Sequence, residues 1–245
     1  MFIKNKYASV SDDTKLWRYL SLSKFMDLLD TSALYFRRID CFEDQLEATQ
    51  PDGASFFAKT TENPWQVYEL LCVDKQLNIY KNITFANCWH INDRDNPDMW
   101  HTYVMSHGNE GVAIQTCFRN LADSFNTDRV LTNLKMKYID YHTCFLDYSF
   151  PNYPEYLSIK DKQFEYENEL RIITLEKEYP QFDADLMGMD YNKQINTHKG
   201  EHIKIELQTL IQSIYLSPNS TLRFREHIEQ LLLKHNIDVP IFKSI

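Results

Sequence analysis

Hydrophobic positions along this chain fall into short blocks whose spacing switches between the two-residue period of a strand and the roughly 3.6-residue period of a helix. Residues 15–20 predict a strand, followed by a helix that starts near Ser21, with Ser23 as cap and Phe25, Met26, Leu28 and Leu29 as its apolar stripe. A short strand at 33–36 ends in Arg37 and Arg38, and an acidic turn or short helix follows at 42–50. The pattern then predicts a helix over 63–78 that partly buries Trp65, Val67, Tyr68, Leu70 and Leu71, and a strand over 83–91. A polar loop, N-D-R-D-N-P-D, leads into a short helix at 98–105, and Gly108 and Gly111 flank a turn into a strand at 112–116. A helix near Leu121, a strand at 134–141 and a Tyr- and Pro-rich loop at 147–156 come next. The tail reads as a strand at 210–216, an S-P-N-S turn with a capping residue, an amphipathic helix at 222–235 and a last strand at 239–242.

Short strands in separated groups, with helices between them, predict an α+β fold and not a regular doubly wound sheet. The expected architecture is a single domain over 1–245, with a split or mixed β-sheet core and peripheral helices. A C-terminal strand–helix–strand unit would occupy about 205–245.

One block breaks the usual pattern. The run K-D-K-Q-F-E-Y-E-N-E-L-R-I-I, residues 160–173, sets Glu165, Glu167, Glu169 and Arg171 at alternate positions. On a continuous strand these four would share one face, with Tyr166, Asn168, Leu170 and Ile172 on the other. Such a row is either a solvated edge ladder of Glu and Arg or a carboxylate site with neighbours that tune it.

Composition narrows the choices. At 245 residues, with 43% hydrophobic and 14% aromatic residues, the chain can bury a substantial core. No apolar run approaches the roughly 18 residues of a membrane span, and the opening M-F-I-K-N-K-Y-A-S-V lacks the apolar centre of a secretory signal. The five cysteines, Cys41, Cys72, Cys88, Cys117 and Cys144, are scattered and contain no C-x-x-C pair, which fits reduced thiols and a cytoplasmic protein. A net charge of −9 speaks against general nucleic-acid binding.

Several familiar chemistries lack their residues. Cys88, His90, Asp93, Asp95 and Asp98 are potential metal ligands, but their spacing matches no zinc or calcium pattern; no metal is expected, and Asp98 reads as sitting near a helix cap. There is no G-x-S-x-G elbow and no phosphate-cradling glycine loop. What remains is Arg18, a cation inside an otherwise apolar strand, which needs an anionic partner from the fold or from a ligand. Asp44 and Glu47 are expected to pair with Arg37 or Arg38, and Lys160 with Glu165; His101 and Tyr103 could hydrogen-bond a ligand.

These pieces together resemble a microbial family known as domain of unknown function 2971. The resemblance is carried by Arg18-Tyr19, F-E-D-Q-L-E (residues 42–47), M-W-H-T-Y (99–103), H-G-N-E-G-V-A-I (107–114), and Lys160 followed by F-E-Y-E-N-E-L-R (164–171). Gln45 and Leu170 stand where the family has proline and tryptophan. More loosely, the order of polar elements is similar to ADP-ribosyltransferases of the arginine–serine–glutamate type. That similarity implies an ADP-ribosyltransferase-like fold and an NAD-consuming enzyme, of the kind found among toxins and phage-defence effectors, with NAD as substrate and an acceptor macromolecule. It implies Glu169 and Glu167 as catalytic residues, and Arg18, Tyr19, Cys88, Tyr103, Lys160 and Arg171 as the ligand-binding set. The middle motif departs: A-N-C (residues 86–88) with Thr84 stands where S-T-S is expected. Two other readings fit the same residues. One is a non-catalytic module that senses a nucleotide or a protein, and the other a metal-dependent nucleic-acid-processing enzyme built on Asp44, Glu47 and Glu169.

Overall fold

The computed structural model describes residues 1–5, 10–44, 46–52, 64–106, 108, 110–144, 156–176 and 198–244, with the backbone alone over 64–72. The chain opens with β1 (Phe2–Ile3), β2 (Lys15–Ser21), helix α1 (Leu22–Thr31) and β3 (Ala33–Arg38), and a 3-10 turn follows at Ile39–Cys41. Helix α2 (Pro64–Ile83) runs directly into β4 (Thr84–Ile91). A single helical turn, α3 (Pro97–Trp100), continues as a π turn (His101–Met105) before β5 (Gly111–Cys117) and α4 (Phe118–Ser124). Strands β6 (Leu131–Lys135), β7 (Lys137–Ile139) and β8 (Ile159–Asp161) lead to a 3-10 segment (Lys162–Glu167) and β9 (Glu169–Leu175). The chain closes with β10 (Gly200–Lys204), α5 (Leu207–Leu210), β11 (Ser213–Leu216), α6 (Leu222–Lys234) and β12 (Ile241–Lys243).

Among the described residues, ten strands form one open, mixed sheet in the order β1-β6-β9-β4-β2-β5-β11-β12, with β3 and β10 branching from β4. The pairs β1–β6 and β11–β12 are parallel and the others antiparallel. The α+β class and the mixed sheet therefore agree with the expectation, and the C-terminal strand–helix–strand unit is an edge of this same sheet. No helix among the described residues is long and apolar enough to cross a membrane.

Alternation along the strands explains the two faces. Leu16 and Leu20 of β2, Phe85 and Trp89 of β4, Val112 and Ile114 of β5, and Leu170 and Ile172 of β9 point to one side. There they bury against Phe25, Leu28 and Leu29 of α1 and Phe224, Ile228 and Leu232 of α6. On the other side Trp17 and Tyr19 pack on Met99, Trp100 and Val104. The β9 residues of that side are Glu169, Arg171 and Ile173, all buried.

The sheet is split at β4. Its end pairs with β2 through Leu16↔Ile91 and Trp17↔His90, while its start pairs with β3 through Arg37↔Ala86 and Arg38↔Phe85. Between those contacts, residues 87–89 have neither β2 nor β3 as a ladder partner. A wedge opens there, and α1, which joins β2 to β3, lies along it.

Several expectations need correcting. Residues 160–173 are not one strand: the path bends through the 3-10 segment, and Asn168 takes a left-handed conformation (φ 37°). Glu165 and Tyr166 are consequently exposed, and the expected row of four shrinks to Glu167, Glu169 and Arg171. The helix expected at 63–78 extends to Ile83, and the strand expected at 134–141 is two strands broken at Met136, whose N–H donates to the Glu169 carbonyl at 3.0 Å. Helix α1 is preceded by Ser21 as its capping residue, with Ser23 bonded to it at 3.1 Å. Asn96, two residues before Asp98, caps α3 by accepting from the Asp98 N–H. The capping residue of α6 is Thr221, just beyond S-P-N-S. Apart from Tyr156, the loop expected at 147–156 lies outside the described residues, as do Lys6, Gln45, His107, Asn109 and the side chains of Trp65, Val67, Tyr68, Leu70, Leu71 and Cys72.

Close packing along β2–β5 gives one direct test. A Cβ on Gly111 would lie 2.5 Å from the Leu20 carbonyl oxygen and 2.6 Å from a Val104 methyl. Backbone cannot move aside cheaply, so Gly111→Ala is expected to destabilise by about 1–3 kcal/mol in thermal denaturation. An unchanged melting temperature would show that the strands tolerate wider spacing there.

Candidate functional site

A cavity of about 430 Å³ fills the wedge, within the usual range for small-molecule sites. Its walls come from β2, α1, β3 and β4, from Met99 and Tyr103 before β5, and from Glu167 and Glu169 at the start of β9. The structure thus brings Arg18 and the acidic pair to one space.

Arg18 sits between Leu16 and Leu20 on the apolar face of β2, half-buried. Its guanidinium reaches into the split, where Nη1 donates to the Cys88 carbonyl at 2.5 Å and the group rests 5.8 Å from the Trp89 ring. The arginine thereby replaces the strand partner that β4 lacks at this point. Burial lowers its pKa, opposed by Cys88, Tyr103 and Glu169; guanidinium stays protonated regardless.

The backbone of the acidic pair is held by Asn168 and by His90. Asn168 takes a left-handed backbone, which asparagine tolerates better than most residues. Here its Nδ2 donates to the Ile91 carbonyl at 2.7 Å, and the Ile91 N–H donates back to the Asn168 carbonyl at 2.9 Å. His90 Nδ1 donates to the Glu167 carbonyl at 2.5 Å, while Asn96 Nδ2 donates to His90 Nε2 at 3.2 Å, which fixes the neutral tautomer. Burial also lowers the His90 pKa.

Behind the carboxylates lies a buried ionic cluster. Arg171, fully buried, donates to both oxygens of Glu47 at 2.6 Å and to Glu169 at 2.9 and 3.0 Å. Lys160 reaches Glu167 at 2.5 Å, Glu169 at 3.4 Å and Glu47 at 3.7 Å. Neither cation lines the cavity, and neither does Glu47. Two of the six predicted ligand contacts, Lys160 and Arg171, stand behind the wall, and Lys160 pairs with Glu167, not with the exposed Glu165. The expected pairing of Glu47 with Arg37 or Arg38 is also replaced: Arg38 takes Asp40 at 2.6 Å, and Glu47 takes Arg171. Arg171 thus lies between Glu47 and Glu169, and both carboxylates accept from its guanidinium.

The electrostatics separate the two acids. Burial alone would raise the Glu169 pKa, but Arg171 and Lys160 outweigh it and bring it to about 2. Burial raises that of Glu167, opposed by Lys160 and reinforced by the charge of Glu169. One carboxylate is thus held in its ionised form, while burial shifts its neighbour towards the protonated one. For Lys160, burial acts downward, yet the charges of Glu169 and its companions raise the pKa.

Tyr103, on the π turn, donates its hydroxyl to Glu167 at 3.0 Å and leaves its ring partly exposed at the cavity. Burial and the nearby carboxylates push its pKa up, so it remains a donor. The Cys88 thiol bonds Glu169, and burial and that charge push its pKa up, so it is no thiolate nucleophile. Tyr19 lines the cavity with its ring, but its hydroxyl donates to Asp95 at 3.0 Å. Asp95 also accepts from Trp100 Nε1 at 2.8 Å and from the Ser244 hydroxyl, so this loop acid braces the wall. Thr84, at the start of β4, is buried away from the cavity.

The partnership of Glu47 with Arg171 and the places of Lys24 and Arg37 in the cavity wall are not among the expectations from sequence. Glu47 lies 124 positions from Arg171 and gives no local signal. Comparisons with known protein families, curated proteins and solved structures give no match for this chain.

Proposed function

We propose that the cavity binds NAD and that the protein transfers the ADP-ribosyl group to an acceptor, with a fold of the ADP-ribosyltransferase type. The observation that carries this reading is the placement of Arg18 and the Glu167–Glu169 pair on walls of one cavity of about 430 Å³. Such a space suits a ligand with an anionic part and a part that becomes cationic. In the reaction, the bond between ribose C1′ and the nicotinamide nitrogen breaks, and its electron pair leaves with nicotinamide. The oxocarbenium-like ribose is stabilised by Glu169, which stays ionised, and electrostatic stabilisation of this kind is usually the largest catalytic contribution. The acceptor nucleophile then bonds to C1′, and its proton passes to Glu167, the acid whose pKa is raised.

The test is incubation with NAD and candidate acceptors, following free nicotinamide by chromatography. Release above the spontaneous rate is expected, and its absence removes the enzymatic reading. A second reading has its own supporting observation. Both oxygens of Glu169 already accept from Arg171, which suits a non-catalytic sensor whose charged wall recognises a nucleotide. That reading expects NAD to raise the melting temperature with no nicotinamide released.

A further inference from the structure

Three cations face this cavity from three successive elements: Arg18 from β2, Lys24 from α1 and Arg37 from β3. Among the described residues none of them forms an ion pair, whereas Lys160 and Arg171 behind the opposite wall are each shared between carboxylates. Arg37 is steadied by Nε donating to the Cys41 carbonyl at 2.7 Å, and Arg18 by the Cys88 carbonyl. Lys24 makes no hydrogen bond among the described residues. Burial together with the charges of Arg18 and Arg37 lowers its pKa, with Glu43 opposing, so Lys24 lies within electrostatic reach of both arginines. Like charges gathered on a cleft wall repel, and a polyanion seated among them relieves that repulsion. Tyr35 is two residues before Arg37 on the same face of β3, exposed at the cavity rim. Its ring lies over Gly200, where an added Cβ would come within 2.3 Å, and packs at 5.2 Å against His202.

We infer that Lys24 and Arg37 join Arg18, the phosphate-holding arginine that the resemblance implies, in a diphosphate subsite and that Tyr35 is the shelf on which the attached nucleobase stacks. The inference rests on reading the cavity as a dinucleotide site, and it orients the ligand: reactive ribose at the glutamates, diphosphate at the cations, distal base at the rim. Specificity would then lie with diphosphate-linked nucleotides and not with nucleosides.

Calorimetric titration with ADP-ribose and with inorganic pyrophosphate tests this without any turnover. Lys24 and Arg37 stand at the protein surface and form no ion pair among the described residues, so their alanine variants should stay close to the wild-type melting temperature. Lys24→Ala and Arg37→Ala are each expected to weaken both probes by roughly tenfold, the scale of one lost charge-assisted hydrogen bond, while Lys24→Arg keeps most of the affinity. Tyr35→Ala is expected to weaken ADP-ribose and leave pyrophosphate unchanged. Wild-type protein that binds neither probe, or variants that bind both as tightly as wild type, would overturn the subsite. ADP-ribose binding that depends on Lys24 and Arg37, with no nicotinamide release from NAD, upholds the subsite while the transferase reading fails.

Discussion

Arg171→Met is expected to destabilise the protein by about 3–5 kcal/mol, the range found when one partner of a buried ion pair is removed. The side chain is completely buried, and its loss strips both oxygens of Glu47 and of Glu169 of their guanidinium donors. Only Lys160, at 3.4 and 3.7 Å, remains to compensate two carboxylates. For a chain of this size the melting temperature should fall by roughly 10 °C. The sign of the pH dependence follows from Glu169. Its folded pKa of about 2 lies below the ordinary 4.5, so in wild type its contribution is present above about 4.5 and is lost as pH falls towards 2. The variant has little of that contribution to lose, because an unpaired buried carboxylate takes up a proton readily. The gap between the proteins should therefore narrow as pH falls through this window. Pairing the change with Glu47→Leu should recover part of the loss, since no carboxylate is then left uncompensated at that end. Urea unfolding at pH 7 and pH 4 measures all of this, and a single-variant loss below about 0.5 kcal/mol, the level of ordinary surface changes, would show that the cluster is dispensable.

Glu169→Gln is expected to lower the rate of nicotinamide release by about 10²–10³-fold, as loss of one electrostatic stabiliser typically does. The substitution preserves shape and removes the charge that opposes the developing oxocarbenium. It should lower kcat and kcat/KM together with little change in KM, because the interaction is made in the transition state. Glu167→Gln separates the second role. With its pKa raised above the ordinary carboxylate value, Glu167 accepts a proton only once pH exceeds that value, so the acid limb of the pH–rate profile belongs to it and should disappear in the variant. A Glu169→Gln enzyme as fast as wild type, or an acid limb unmoved by Glu167→Gln, would sink the assignment.

The parts of this site legible in the sequence are those with a local signal. Arg18 stood out as a charge in an apolar strand, and Glu169 and Arg171 as alternate positions leading into L-R-I-I. Their convergence needed the split sheet, which no local pattern announces. The bend that removes Glu165 from the row turns on Asn168, with no glycine or proline to mark it; asparagine alone is a weak sign of a left-handed residue. Lys24 was silent for another reason. It adjoins the apolar stripe of α1, where a lysine ordinarily reads as solvated surface, and only the path of β3 back along α1 sets it beside Arg18 and Arg37. Arg37 and Arg38 lie nearer to Glu47 in sequence, but neither is as deeply buried as Arg171, and the buried carboxylate takes the buried cation.

The ionic cluster behind the glutamates does not balance. Glu47, Glu167 and Glu169 carry three negative charges against two positive ones on Lys160 and Arg171, which leaves a deficit of one on the cavity side. Arg18 answers it only from across the wedge. A proton on Glu167 and a positive charge developing on a ligand beside the glutamates would each offset that deficit, so the two are expected to compete.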